Sequence, residues 1–367
     1  MTTSGRGAVS DGAGAFAVRD MEVDEPAPGE VLVELRASGV CHTDHDLVGA
    51  PFPMVLGHEG AGVVLAVGDG VTDVAPGDHV VLSWAIPCSE CFQCRAGNEH
   101  LCERGSPLIA GLGGHARMDG TRVDGRSMYR AFNLGTLATH ALVRSNAVQP
   151  IPDGVPFASA AIVGCGVMTG VGSALNAARI VPGESTVVLG CGGVGLNVVQ
   201  GCRIAGATTI IAVDPNGARL ERARRYGATH AIVPEAADDA LALVADEVRA
   251  LTDGRGADVA FEATAVPALA AAPLRMIRHG GRAVAVSGVE QDVTIDMRLF
   301  EWDKTYINPL YGQCQPGRDF ARLFALYESG ELLLDEQVTK TYALDDVADA
   351  FADLLAGTNA KGVVVFS

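Results

Sequence analysis

Hydrophobic and polar positions alternate through much of residues 1–150. In the segment GEVLVELRASGVC, Val31, Val33 and Leu35 are separated by a mainly polar set, which predicts a largely half-buried strand. Short β-branched runs follow in GAGVVLAVGDGVTDVAPGDHVVLS, divided by Gly and Pro turns, and they predict further strands. The first part of the chain is therefore expected to be rich in β-structure.

The rhythm changes from about residue 167 to residue 305. Short apolar runs are separated there by segments of helical length, and the predicted strands are TVVLG, TIIAVD, HAIV, DVAFEA and RAVAVSGV. This βαβ alternation predicts a parallel sheet with helices on both faces. Beyond residue 306 the pattern predicts helices over Asp319–Glu328 and Asp345–Leu355 and a last strand in GVVVFS.

Length, composition and charge narrow the class of protein. A chain of 367 residues exceeds what one hydrophobic core usually supports, so two domains are expected. It is 48% hydrophobic and 19% charged, as folded proteins are. The net charge of −17 argues against nucleic acid or an anionic membrane as the main partner. Since the sequence shows neither a signal peptide nor an apolar run of membrane-span length, we expect a cytoplasmic protein with reduced cysteines.

A glycine-rich motif follows the predicted strand TVVLG. Gly190, Gly192 and Gly195 fit G-x-G-x-x-G and open an apolar segment of helical length, VGLNVVQGCRIAGA. Such glycines let the backbone approach a pyrophosphate at a helix N-terminus. The next predicted strand ends in Asp214, whose carboxylate would accept ribose hydroxyls and repel a 2′-phosphate. The motif therefore predicts NAD rather than NADP as the cofactor.

Four cysteines lie close together in the run PCSECFQCRAGNEHLC. Cys88, Cys91, Cys94 and Cys102 have the spacing C-x2-C-x2-C-x7-C, which can surround one tetrahedral zinc and leave no position open. An iron–sulfur cluster is the alternative, but its fourth cysteine would follow after three residues and precede Pro. The spacing favours a closed structural zinc.

Three separate motifs hold candidate ligands for a second metal. They are Cys41 in GVCHTD, His58 and Glu59 in GHEG, and Cys165 in GCGVMTG. Taken singly, a buried Cys or His is more often a packing residue. Together, two thiolates and one imidazole can bind zinc and leave a fourth position for substrate, where the metal lowers the pKa of a bound hydroxyl.

These motifs, in this order, resemble the zinc-dependent medium-chain alcohol dehydrogenase family, in particular its long-loop members of the class III or nicotinoprotein type. The resemblance implies an α/β protein with a GroES-like β-rich catalytic domain over residues 1–166 and 306–367 and a Rossmann domain over 167–305. It implies reversible hydride transfer between an alcohol and NAD, giving an aldehyde or ketone, with two zinc ions per chain. A thiol-adduct formaldehyde dehydrogenase and a nicotinoprotein that keeps its NAD bound are the alternatives.

The resemblance also implies roles for single residues. Thr43 would take the proton of the alcohol, and His45, Asp46 or water would end the relay. Trp84 would shape the substrate pocket. The catalytic zinc would be held by Cys41, His58 and Cys165, with Glu59 as a transient ligand. The residues implied for the cofactor are His42, Thr169, Gly190, Gly192, Gly193, Val194, Gly195, Asp214, Arg219, Val289 and Lys361.

Two departures from the family pattern carry expectations of their own. His42 and Lys361 stand where many members have Arg on the pyrophosphate, and because His holds phosphate less strongly, we expect faster release of NADH.

The segment between Cys102 and Gly135 is expected to be a long surface loop. By resemblance that loop favours a homodimer, with a tetramer as the alternative. The expected partner is a small-molecule alcohol or aldehyde.

Overall fold

The computed structural model describes residues 2–111, 118–238, 240–289 and 291–366. The chain forms two compact units. Unit 1 comprises Met1–Cys165, Gln315–Gly330 and Leu334–Ser367, and unit 2 comprises Gly166–Cys314 and Glu331–Leu333. The domain ranges drawn from the sequence, 1–166 with 306–367 and 167–305, stay a prediction.

Strands and helices occur in both units. The strands are β1 (Thr2–Ser10), β2 (Phe16–Asp24), β3 (Glu30–Gly39), β4 (Met54–Val55), β5 (Gly60–Val67), β6 (His79–Leu82), β7 (Thr121–Val123), β8 (Arg126–Ser127), β9 (Tyr129–Arg130), β10 (His140–Arg144), β11 (Val148–Pro150), β12 (Ser185–Leu189), β13 (Thr209–Val213), β14 (His230–Ile232), β15 (Ala257–Glu262), β16 (Ile277–Ala285), β17 (Thr305–Ile307), β18 (Val338–Tyr342) and β19 (Lys361–Val365). The helices are α1 (His42–Leu47), α2 (Phe92–Arg95), α3 (Phe157–Ala161), α4 (Gly166–Gly172), α5 (Gly193–Ile204), α6 (Gly217–Arg225), α7 (Ala242–Leu251), α8 (Ala272–Met276), α9 (Pro316–Glu328) and α10 (Val347–Ala356).

Unit 1 is built on two sheets, as the alternating pattern predicts. One has the order β8-β7-β2-β1-β4-β9, and the other has the order β11-β6-β5-β3-β19-β18 with β10 also paired to β3. Val31, Val33 and Leu35 of β3 are buried, as expected. Leu32, on the opposite face, is buried too, in a cluster that includes Val9 and Val23. The strand is thus more completely covered than its pattern predicts, because the second face packs against the hairpin β1–β2.

Unit 2 is a doubly wound domain with one parallel sheet. Its strand order is β14-β13-β12-β15-β16-β17, and every neighbouring pair is parallel. This is the order of a dinucleotide-binding Rossmann fold. Val187, Val188 and Leu189 are all buried, as expected of a strand covered on both faces. The five predicted strands of this region are confirmed, whereas the sixth, β17, is absent from the sequence prediction because Thr305–Ile307 lies between polar residues and lacks an apolar run like the AIV that marks β14.

The predicted helices are present with small shifts at their ends. The segment after the glycine motif forms α5, and the two C-terminal patterns form α9 and α10. The interpretation of residues between Cys102 and Gly135 as one long loop is wrong in part, because β7, β8 and β9 lie there. These strands extend the sheet that contains β2 and β4. Residues 112–117 of that segment lie outside the described residues.

No single helix among the described residues is long and apolar enough to cross a membrane. One bent pair, Phe157–Gly164 with Gly166–Ala177, passes on length and composition alone.

Candidate metal centres and dinucleotide site

Unit 1 brings the three separate sequence motifs together. One ligand atom from each of Cys41, His58, Glu59 and Cys165 lies within 4.8 Å of every other. Cys41 is the residue before α1, His58 and Glu59 precede β5, and Cys165 follows the turn after α3. Each side chain therefore sits where a regular element begins or ends, which fixes its backbone. Two sulfurs, an imidazole and a carboxylate are donors that zinc accepts.

Asp44 orients the histidine of this cluster, and the sequence analysis missed it. Its Oδ1 lies 2.8 Å from Nδ1 of His58 and accepts a 3.0 Å hydrogen bond from N–H of Gly57. Asp44 is completely buried, and burial raises its pKa while the ion pair with His58 opposes that shift. Because a carboxylate only accepts, Nδ1 of His58 donates, which leaves Nε2 for a metal. The signal was present in GVCHTD, three residues after Cys41.

Glu59 and Lys361 form a buried ion pair beside the same cluster. Nζ of Lys361 lies 2.6 Å from Oε1 of Glu59, whereas Oε2 of Glu59 has no hydrogen-bond partner among the described residues. Burial raises the pKa of Glu59 to about 7. Burial disfavours the ammonium of Lys361, but Glu59, Cys41 and Cys165 together outweigh it and raise the pKa of Lys361. Contact of Lys361 with pyrophosphate stays a prediction.

Gly39 makes room for that carboxylate. A Cβ at Gly39 would lie 2.1 Å from Oε2 of Glu59, so a larger residue would displace the side chain. The close approach explains why a glycine ends β3 immediately beside the cluster.

The two sulfurs of this cluster differ in acidity. A hydrogen bond with Cys165 lowers the pKa of Cys41 well below that of an ordinary thiol. The same bond, together with burial, raises the pKa of Cys165. The lowered pKa of Cys41 favours its thiolate, which is the form that binds metals. The chemistry of the donor set and the unpartnered carboxylate oxygen both fit a zinc ion.

The four clustered cysteines also meet around one point. One sulfur from each of Cys88, Cys91, Cys94 and Cys102 lies within 4.8 Å of the others. Backbone N–H groups point at these sulfurs, among them Cys88 N–H at 3.3 Å from Sγ of Cys102 and Cys91 N–H at 3.3 Å from Sγ of Cys88. The N–H of Cys94 lowers the pKa of Cys91 to about 6. Four sulfurs supported in this way fit a closed tetrahedral zinc site.

The residues proposed for proton transfer lie on α1. Oγ1 of Thr43 is 3.7 Å from Sγ of Cys41, so the hydroxyl is adjacent to the cluster of Cys41, His58, Glu59 and Cys165. Nδ1 of His45 is 3.7 Å from Oδ1 of Asp46, and both side chains reach solvent. The His42 side chain is exposed at the start of the same helix.

Two aromatic side chains border the cluster. The ring of Phe132 lies 4.6 Å from that of His58, centroid to centroid, and 5.3 Å from that of Trp84 in an edge-on arrangement. Trp84 and Phe132 are both buried. Phe132 has φ of 53°, a left-handed conformation that is strained for an aromatic residue. The sequence singled out Trp84 but gave no signal for Phe132, since its role depends on that backbone turn.

In unit 2 the glycine motif forms the turn between β12 and α5. Gly190 has φ of 86°, and a Cβ at Gly195 would lie 1.8 Å from the carbonyl oxygen of Gly190. No atom of the described residues lies within 4 Å of a Cβ placed at Gly192, which leaves room for a ligand. The N–H groups of Gly193 and Val194 belong to the first turn of α5, where helical N–H groups lack intrahelical acceptors and favour an anion.

Asp214 follows β13 and is connected to that turn. Its Oδ2 accepts a 2.8 Å hydrogen bond from N–H of Cys191, and its Oδ1 accepts one of the same length from N–H of Asn216. The Arg219 guanidinium lies 3.7 Å from Oδ2 of Asp214. The acidic and basic residues that the sequence assigned to the adenosine ribose are thus neighbours.

Thr169 and Val289 also lie in unit 2. Thr169 is half-buried on α4, which packs along α5. Val289 is half-buried after β16, at the carboxyl edge of the sheet where ligands bind in such folds. Contact of either residue with nicotinamide stays a prediction.

The chain matches two family models. Residues 27–153 match the alcohol dehydrogenase GroES-like domain, and residues 193–327 match the zinc-binding dehydrogenase model. The first match lies within unit 1, and the second lies mostly within unit 2 and ends in α9 of unit 1.

Several proteins of known family are similar along nearly the whole chain. The NDMA-dependent alcohol dehydrogenase of Amycolatopsis methanolica is 40% identical, with 96% of each chain covered. The putative alcohol dehydrogenase D of Mycobacterium tuberculosis is 39% identical, covering 95% of this chain and 96% of the relative. Among solved structures, the benzyl alcohol dehydrogenase of Acinetobacter calcoaceticus is 30% identical over 100% of both chains, with a TM-score of 0.90.

Proposed function

The chain belongs to the zinc-dependent medium-chain alcohol dehydrogenase family, and we propose that it oxidises an alcohol to an aldehyde or ketone with NAD, reversibly. The observation that carries the proposal is the convergence of Cys41, His58, Glu59 and Cys165 within 4.8 Å. Zinc held there supplies a Lewis acid that lowers the pKa of an alcohol hydroxyl. The reaction moves a hydride from the alcohol carbon to the nicotinamide ring and releases one proton.

The residues of unit 1 hold the metal and handle that proton. Cys41, His58 and Cys165 are the proposed zinc ligands, and Asp44 fixes the tautomer and orientation of His58. Thr43, whose hydroxyl lies beside Cys41, is the proposed first acceptor of the proton.

Two exposed groups on α1 and one buried carboxylate complete the proposed proton and metal chemistry. His45 or Asp46, both reaching solvent, or water would end the proton relay. Glu59 would approach the metal transiently with the oxygen that Lys361 does not hold.

The residues of unit 2 bind the dinucleotide. The turn at Gly190, Gly192 and Gly195 and the start of α5 are proposed to hold the pyrophosphate. Asp214 is proposed to accept ribose hydroxyls and to disfavour NADP, with Arg219 beside it. The positive charge of Arg219, 3.7 Å away, partly neutralises the Asp214 carboxylate.

A second zinc in the four-cysteine site would organise its loop and leave no open position for substrate. This gives two zinc ions per chain. The homodimeric state and the cytoplasmic location stay predictions from the sequence.

A panel of alcohols tests the proposed reaction. Primary, secondary and aromatic alcohols are each offered with NAD and with NADP, with and without an added thiol cofactor, and the absorbance of the reduced cofactor is followed. We expect NAD-dependent oxidation of at least one alcohol and two zinc ions per chain by metal analysis. Activity on formaldehyde only in the presence of thiol would identify a thiol-adduct formaldehyde dehydrogenase. A protein that holds both zinc ions and oxidises no alcohol on the panel would refute the proposal.

A nicotinoprotein is the second candidate. It is favoured by the 40% identity with an NDMA-dependent alcohol dehydrogenase. The purified protein would then carry the near-ultraviolet absorbance of NADH through gel filtration and would turn over with NDMA without added NAD. A protein that lacks this absorbance and requires added NAD would exclude the nicotinoprotein and leave the first candidate.

A further inference from the structure

Glu262 is a buried carboxylate to which the proposed chemistry gives no role. It is the last residue of β15, and its side chain is completely inaccessible to solvent. Burying an ionised carboxylate is costly unless it is fully hydrogen-bonded. Its Oε1 accepts bonds from N–H of Thr264, at 2.6 Å, and from Oγ1–H of Thr264, and its Oε2 accepts a bond from the hydroxyl of Ser287. The carboxylate is thus satisfied by two different loops.

These loops follow neighbouring parallel strands. Thr264 lies in the loop 263–266 after β15, and Ser287 lies in the loop 287–289 after β16. The N–H of Ala265 donates to Oγ of Ser287 at 3.0 Å, and the N–H of Val266 donates to Oγ1 of Thr264 at 3.1 Å. Ala265 has a left-handed φ of 58°. The two loops are therefore joined to each other through Glu262 and Ser287.

The same loop also lies against the glycine motif. A Cβ at Gly190 would be 2.8 Å from the carbonyl oxygen of Ala263 and 2.9 Å from Cγ2 of Thr264. In a parallel sheet the ligand lies beyond the carboxyl ends of the strands. The loops after β12, β15 and β16 form that edge here, since these strands are adjacent in the sheet. Glu262 lies at the end of β15 and bonds the loops after β15 and β16, while the Gly190 turn lies against the first of these loops.

We infer that Glu262 is a positioning residue for the dinucleotide, which holds loops 263–266 and 287–289 at a fixed separation beside the Gly190 turn. The inference rests on the proposed NAD site of unit 2. Glu262 does not touch the cofactor. It acts through Thr264 and Ser287, and it thereby sets the position of Val289, two residues beyond Ser287.

Single-atom changes within the network separate this role from a general contribution to folding. Ser287→Ala removes the hydroxyl that joins the loops and leaves the bonds between Glu262 and Thr264. Thr264→Val keeps the shape and the bond from N–H and removes the hydroxyl. Glu262→Gln is the conservative variant, because its oxygen still accepts both bonds from Thr264 and its amide can donate to Oγ of Ser287.

A matched control lies at the amino ends of two strands of the same sheet. The hydroxyl of Ser185, the first residue of β12, donates to Oδ2 of Asp258 at 2.8 Å near the start of β15. Ser185→Ala removes a serine–carboxylate bond of the same chemistry, away from the carboxyl ends of the strands. It should lower thermal stability and leave cofactor affinity unchanged.

The experiment is a fluorescence titration of the zinc-loaded full chain with NADH, alongside thermal unfolding and steady-state kinetics. Ser287→Ala and Thr264→Val should raise the dissociation constant of NADH about tenfold or more, as expected for a lost bond to a charged group. The KM for NAD should rise with it, while the KM for alcohol and the zinc content stay the same. Glu262→Gln should remain within about threefold of the unaltered chain, since it loses charge but keeps the geometry.

Two results would overturn the inference alone. One is an NADH dissociation constant in Ser287→Ala and Thr264→Val that equals that of the unaltered chain. The other is an equal loss of affinity in Ser185→Ala, which would mark a general effect of stability. If the unaltered chain neither carries NADH after purification nor binds added NADH, the proposed function fails and this inference fails with it.

Discussion

Removing the carboxylate that accepts the His58 hydrogen bond should weaken binding of the zinc proposed for Cys41, His58 and Cys165. Both bonds of Asp44 end on one oxygen, Oδ1, which is 2.8 Å from Nδ1 of His58 and 3.0 Å from N of Gly57. Asp44→Asn keeps an oxygen there and loses only the charge. Asp44→Ala leaves two buried donors without an acceptor, at about 1–3 kcal/mol each. Since such supporting partners contribute about 10–100-fold to metal affinity, we expect about tenfold weaker zinc binding for Asn and about a hundredfold for Ala.

The assay is competition with a zinc chelator, with the number of zinc ions per chain read by native mass spectrometry. In both variants one zinc should leave at a lower chelator concentration than in the unaltered chain. The zinc proposed for the four clustered cysteines is the internal control, and its release should not change. If Asp44→Ala released its first zinc at the same chelator concentration as the unaltered chain, the role given to Asp44 would be refuted.

Three further predictions concern the cofactor and unit 2. Asp214→Ser should shift the ratio of kcat/KM for NADP over NAD upward by about tenfold or more, since a negative charge near the 2′-phosphate is removed, and an unchanged ratio would count against the assignment. His42→Arg should slow NADH release in stopped-flow measurements by about tenfold, because a guanidinium binds phosphate more strongly; equally fast release would contradict this. Burial opposes ionisation of Asp258, but bonds from Ser185 and Arg278 outweigh it and lower its pKa, so the stabilisation is present above the unfolded pKa of about 4 and is lost as pH falls through the folded value. Asp258→Asn should therefore lower the free energy of unfolding by about 1–3 kcal/mol at pH 7, with a smaller loss at pH 3. A loss that does not change with pH would contradict the reasoning.

The parts of the fold that the sequence predicts are those with strong local signals. The runs TVVLG and TIIAVD became β12 and β13 because β-branched residues suit a strand buried on both faces. β17 was missed because three residues, Thr305–Ile307, carry no period and acquire their strand only by pairing with β16. The strands β7–β9 are not predicted either, because their sequences TRV, RS and YR hold few apolar residues.

The residues of the candidate site likewise fall into those with a local sequence signal and those without one. The cysteine and glycine motifs are predictable from their spacing, because zinc binding and dinucleotide binding need those residue types. Asp44 and Glu262 are common residue types whose roles depend on partners brought together by folding, His58 for the first and Ser287 for the second. Lys361 lies 302 positions from Glu59 along the chain, so no local sequence pattern predicts their ion pair.

The rate of alcohol oxidation per folded chain in Cys165→Ser tests most directly which cysteines carry the chemistry. Zinc contributes several kcal/mol of transition-state stabilisation, so we predict a loss on the order of 1000-fold with an unchanged unfolding temperature. Cys94→Ser is the matched variant, and it should lower the unfolding temperature or impair assembly, while chains that fold keep their turnover. Retained turnover in Cys165→Ser, together with its loss in folded Cys94→Ser, would contradict the assignment of the two sites.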